Sequence, residues 1–146
     1  MLSFTSSFTQ NSNAFALFVD EKYEYEDKKK ILSKDVTKKI NLFLKLLKSK
    51  NQSAGISSLD ISDKKKCFII KVKNKKEKYY FEEIGGSFFT YIKNDKNINL
   101  IDIYADSLNE SKDKLSKIFA EFVFGFNLKS YTFNKYKTLN KDKINK

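Results

Sequence analysis

The sequence predicts an α/β domain, a three-layer α/β/α sandwich built on a mixed, largely parallel sheet. Three observations predict it. Short apolar runs alternate along the chain with amphipathic segments of helical length. The best of those runs are apolar on both faces, as parallel strands buried between layers must be. At 146 residues, 40% hydrophobic and 15% aromatic, the chain is large enough for one such core. Fourteen Phe and eight Tyr supply much of it and argue against disorder.

The elements follow in order. Leu2 to Phe8 alternates weakly and suggests a first strand. Phe15-Ala16-Leu17-Phe18-Val19 is a buried strand closed by Asp20 and Glu21. Glu21 to Lys34 is charged and forms a surface connection. Ser33 or Asp35 caps a helix running to about Lys48. Its Val36, Ile40, Phe43, Leu44 and Leu47 share one face, with Lys38, Lys39, Lys45 and Lys48 opposite. Ile56 to Ile61 is a short edge strand, Asp63 to Lys66 a turn, and Cys67 to Val72 the strongest strand of the chain.

Lys75 to Asn94 reads as a helix with Phe81, Ile84, Phe88 and Ile92 along a buried stripe. Gly85-Gly86 inside it costs about 1 kcal/mol each relative to Ala, which points to close approach of this helix to the sheet. Asn99 to Ala105 is another central strand. Ser107 to Glu110 offers caps for a helix over Lys112–Phe126, with Leu115, Ile118, Phe119, Phe122, Val123 and Phe126 inward. The domain therefore spans 1–128. Residues 129–146 read as a Lys-rich tail or linker, anchored by Tyr131, Phe133 and Tyr136.

The formal net charge is +11, and all 29 basic residues are Lys. Arg, which makes the bidentate contacts of specific nucleic-acid readers, is missing. The joint excess of Lys, Asn, Ile, Phe and Tyr, without Pro or Trp, fits the codon bias of an AT-rich genome. A solvated Lys-rich surface is then expected, with weak, non-specific, salt-sensitive binding to nucleic acid. The N-terminus has no basic n-region or sustained apolar stretch, and no segment is long enough to span a bilayer. With one cysteine, Cys67, in an apolar strand, a reducing cytoplasmic setting is the expectation.

The chain contains no His. That removes imidazole acid–base catalysis, Ser-His-Asp and Cys-His nucleophile activation, and His-ligated zinc. A lone Cys removes thiolate zinc sites and CxxC chemistry. Glu82, Glu83, Asp102 and Asp106 are the acidic residues to consider for a hard-metal site, because Mg²⁺ needs only oxygen ligands. Glu82 and Glu83 are read as charges balancing Lys on a helix surface. Asp102 interrupts an apolar strand, on a half-exposed face or as a cap. Gly85-Gly86-Ser87 lacks the spacing of a phosphate loop. Tyr131 to Tyr136 interleaves aromatics with Lys, as some single-strand binders do, but is read as an anchored linker. No catalytic, cofactor-binding or metal-ligating residue is assigned.

The C-terminal third, Phe119 to Thr138, resembles the end of the N-terminal domain of the leucine (cytosol) aminopeptidase family. The spacing Tyr131-x-Phe133-x-x-Tyr136-Lys137 is the most specific part. The order of elements upstream, including the helix with paired Gly85-Gly86, is similar too. Two features depart from the family: Lys73-Asn74-Lys75-Lys76 stands where a Gly-rich turn is usual, and Phe119, Phe122 and Phe124 replace alanines of the closing helix.

The resemblance implies a macro-domain-like fold and a non-catalytic role in assembling a hexamer and shaping access to an active site. The metallopeptidase chemistry, removal of N-terminal residues from peptides, would belong to a larger catalytic domain holding two divalent metals, Zn or Mn. That domain and the other copies of a homo-oligomer are the implied partners. Two other readings stand beside this one: a stand-alone macro-like module for a nucleotide or ADP-ribose, and a weak nucleic-acid-binding protein.

Overall fold

The computed structural model describes residues 2–4, 12–28, 30–50, 55–74, 77–98 and 100–144. The chain divides into two compact units, Met1–Lys76 with Lys96–Leu115, and Glu77–Asp95 with Ser116–Lys146. Its class is the expected one, α/β with a mixed and mostly parallel sheet.

The first unit holds the sheet. Strands β1 (Leu2–Phe4), β2 (Ala14–Val19), β3 (Ile56–Ser62), β4 (Lys65–Lys71) and β5 (Ile101–Tyr104) lie in the order β1-β5-β2-β4-β3. Neighbours pair in parallel from β1 through β4, and β3 closes the edge antiparallel to β4 across the turn at Asp63–Lys64. β2 is central, with Phe15 level with Asp102 on one side and Cys67 on the other.

Helix α1 (Lys34–Ser49) begins at Ser33, whose hydroxyl accepts from the Val36 N–H at 3.2 Å. The expected cap is thus in place. Its Ile40, Leu44 and Leu47 pack into a cluster with Phe15, Leu17, Val19, Cys67, Ile69 and Tyr104 from one sheet face. On the other face Ala16, Phe18, Phe68, Ile70, Ile101 and Ile103 are equally buried. Burial on both faces explains why these strands read as continuous apolar runs without alternation. Lys39, on the solvent face of α1, donates to the Ile61 carbonyl at 2.8 Å and ties the helix to the edge strand.

The second unit pairs helix α2 (Tyr80–Ile92) with helix α3 (Lys112–Ile144), whose first turn belongs to the first unit. Expectation and structure part at three places. α2 starts at Tyr80, later than Lys75, because Tyr79 takes a left-handed φ of 67° that no helix continues through. Gly85-Gly86 serves a helix–helix contact: a Cβ on Gly85 would run into the Phe122 carbonyl oxygen and lie 3.0 Å from its carbon. Gly125 does the same from the other side, where a Cβ would strike the Glu82 carbonyl, with the Glu82 Cα at 2.7 Å. Finally, α3 does not stop at Phe126. It runs unbroken to Ile144, so the expected tail is helical as far as that residue. Nothing in Asn127–Ile144 breaks a helix, since the segment has neither Pro nor Gly.

Phenylalanines fill the crossing. Phe88 meets Phe122 and Phe126 with ring centroids at 5.8 and 6.1 Å, and Phe89 meets Phe126 and Phe133 at 5.4 and 5.7 Å. Among the described residues no helix is long and apolar enough to cross a membrane.

Candidate functional site

In open α/β sheets ligands bind beyond the carboxyl ends of the parallel strands. Here three adjacent strands, β5, β2 and β4, deliver their following loops to one place. Asp20 follows β2, Val72 to Asn74 follow β4, and Ser107 to Glu110 follow β5. These segments, with Glu24, Tyr25 and Glu26, line a cavity of about 370 Å³.

The floor is a hydrogen-bond network. Ser107, buried in a 3-10 turn (Ala105–Ser107) at the end of β5, accepts from the Phe18 N–H at 2.9 Å. It donates to the Tyr104 carbonyl at 2.6 Å. Its own carbonyl accepts from the Glu26 N–H at 3.0 Å, which ties the β2–α1 connection to β5. The sequence offers Ser107 to Glu110 as capping groups for the next helix. Ser111 takes that place, its hydroxyl accepting from the Lys114 N–H at 3.4 Å.

Four carboxylates line this cavity: Asp20, Glu24, Glu26 and Glu110. Three are engaged locally. Asp20 Oδ1 accepts from the Lys22 and Glu24 N–H groups, both at 2.9 Å, and organises the tight turn after β2. Glu26 Oε2 lies 3.2 Å from the Lys28 ammonium, and Glu110 is 3.7 Å from Lys114 one helical turn away. An acidic lining repels a diphosphate. Lys73 and Asn74 follow β4 in this lining, and the Asn74 N–H already donates to Glu21 Oε1 at 3.1 Å.

Tyr25, from the cavity lining, and Asp27 order the connection. The Asp27 carboxylate accepts from the Tyr104 hydroxyl at 2.6 Å and from the Ile31 and Leu32 N–H groups. Burial, and after it the Asp27 carboxylate, raises the Tyr25 phenol above its ordinary 10.0. Burial alone pushes the Cys67 thiol far above its ordinary 9.0, so the lone cysteine is an inert core residue.

The acidic residues singled out in the sequence have separate local roles. Asp102 is 1% exposed, and the Ser12 hydroxyl donates to its Oδ2 at 2.6 Å. It does not sit on the half-exposed face that the sequence suggested. A buried carboxylate needs such donors, and Ser12 supplies one from the segment entering β2. Asp106 lies in the 3-10 turn, and Glu82 and Glu83 occupy the first turn of α2, where the helix dipole favours them. Among the described residues no group of three or more His, Cys, Asp or Glu side chains is placed to hold a metal ion.

Gly85-Gly86-Ser87 lies inside α2, so its N–H groups are already spent on the helix. In α3, Tyr131 and Phe133 point in nearly opposite directions, as residues two apart on a helix must. Phe133 is an anchor, against Phe89 and beneath the Lys93 ammonium at 5.1 Å from its centroid. Tyr131 is 66% exposed, which corrects its expected role as an anchor. The Tyr136 and Lys137 side chains lie outside the described residues. Asp20 and Ser107, which line this cavity, are not singled out as site residues by the sequence. Asp20 directly follows β2 and Ser107 comes three residues after β5, but only the strand order reveals that Ser107 meets β2.

No family model, no curated protein and no solved structure matches this chain.

Proposed function

We propose that the chain is a non-catalytic α/β accessory domain of the kind that precedes the catalytic half of leucine aminopeptidases. In that role it would contribute to hexamer assembly and to access to an active site carried by another domain, along with its two divalent metals. The observation that carries this reading is the order of elements. β2, α1, β4, α2 with its paired glycines, β5 and α3 succeed one another as the resemblance implies, and the Tyr131–Lys137 motif sits on α3. Support also comes from the chemistry of the chain, which has no imidazole to act as a base or a zinc ligand.

The test is an assay of the purified chain on leucyl-p-nitroanilide with Mn²⁺ or Zn²⁺. No turnover is expected. Metal-dependent hydrolysis, abolished by chelation, would make the chain itself the enzyme.

The cavity beyond β5, β2 and β4 favours a second reading, a macro-like binding module acting alone, because its position is that of a ligand site. Its carboxylates weigh against nucleotide diphosphates. Calorimetric titration with ADP-ribose is expected to give no heat of binding, and micromolar affinity would put this reading first.

A further inference from the structure

Helix α3 is apolar on two opposite faces. One is pinned: Phe122 and Phe126 are buried against Phe88, and Gly125 is in backbone contact with Glu82. This crossing sets the rotation of α3 and forces Phe124, Leu128 and Tyr131 outward. They are 56%, 54% and 66% exposed. At spacings of four and three they form a single line within about 60° of arc and about 10 Å long. Along the same spacing Glu121, half-buried, and Lys117, exposed, lie three and seven residues before Phe124, and Lys135, exposed, lies four residues after Tyr131. From Asn127 onward the sequence carries six Lys against a single Asp.

We propose that the Phe124–Leu128–Tyr131 stripe is a docking seam for an acidic amphipathic helix of a partner protein. The spacing is that of a coiled-coil seam, an apolar centre that accepts the knobs of one facing helix. Charge complementarity selects the partner. In a second copy laid antiparallel, the register that sets Phe124 against Leu128 also sets Lys117 against Lys135. A parallel pair sets each lysine against itself. Either arrangement brings like charges together between two molecules of net charge +11. A lipid surface calls for a broader apolar face, of 100° or more, than this stripe presents. A helix with an apolar seam and carboxylates at its ends satisfies both the stripe and Lys135. The groove between α2 and α3 beside Leu128 carries Glu82 and Glu83 on its α2 wall, so an acidic partner follows the stripe and leaves that wall free.

Two synthetic helical peptides test this on the full chain, with the same leucine seam but Glu or Lys at the flanking positions. Fluorescence anisotropy at about 150 mM salt is expected to show micromolar binding of the Glu peptide and at least tenfold weaker binding of the Lys peptide. Leu128→Glu, at an exposed position that leaves the core intact, is expected to weaken the Glu peptide at least tenfold. Lys135→Glu should narrow the difference between the two peptides. Equal binding of both peptides, binding of neither, or indifference to Leu128→Glu would overturn the proposal. So would a Leu128-dependent dimer in sedimentation, or Leu128-dependent binding to phosphatidylcholine–phosphatidylserine vesicles in place of the peptide.

Discussion

At the scale of single residues, this protein buries two weak acids that alkaline water would ionise. Cys67 and Tyr25 are both held protonated by the fold. Above pH 9.0 the unfolded thiol loses its proton while the native one keeps it, and near pH 10.0 the phenol follows. The native state then binds more protons than the unfolded state, so stability falls as pH rises. Unfolding free energies from urea titrations are expected to stay flat around neutrality and to drop from about pH 9 upward, by at most about 1.4 kcal/mol per pH unit for each group. Cys67→Ala should remove the part of the slope that starts near 9, and Tyr25→Phe the part that starts near 10. An unfolding free energy that rises through this window would contradict the assignment. Cys67 was legible as a buried strand residue because its neighbours are Phe68, Ile69 and Ile70. The full burial of Asp102 was not legible, since its Ser12 partner is 90 positions away in the chain.

At the scale of elements, the glycines of α2 and α3 differ in what surrounds them. Gly125 faces the Glu82 backbone, which cannot retreat without parting the helices. Gly86 faces only ordinary contacts, the nearest being the Gly125 carbonyl at 3.7 Å. Gly125→Ala is therefore expected to destabilise by about 1–3 kcal/mol. Gly86→Ala is expected to be neutral or to stabilise by up to about 1 kcal/mol through helix propensity. Thermal melts of the two variants check the contrast, and a similar loss in both would mean that the crossing lies elsewhere. α1 was readable in full from its cap and its apolar period, because both signals are local. The start of α2 was not, because the positive φ of Tyr79 has no sequence signal. Nor was the length of α3: its polar end resembles a tail, yet nothing in it breaks a helix.

At the scale of the whole molecule, the +11 charge predicts contact with polyanions but no reading of sequence. Labelled single strands and duplexes of unrelated sequence should bind alike at low salt, with affinity falling steeply and vanishing by about 150 mM. Binding that survives there and favours one sequence would promote nucleic acid from bystander to ligand. The cavity beyond the sheet belongs to this scale too, for it exists only where β5, β2 and β4 end together.

Composition and periodicity by themselves determined the class of this fold, the order of its strands and helices along the chain, and the exclusion of imidazole and dithiol chemistry. Each depends on which residues are present or on neighbours a few positions apart. Tertiary structure alone decided the strand order in the sheet, the meeting of Ser107 with Phe18, the contact made by Gly85 and Gly125, and the outward stripe of Phe124, Leu128 and Tyr131. Those outcomes depend on distant segments competing for the same space. Phe122 and Phe124 are the same kind of residue two positions apart; the helical period already set Phe122 inward, and only the crossing with α2 determines that it meets Phe88.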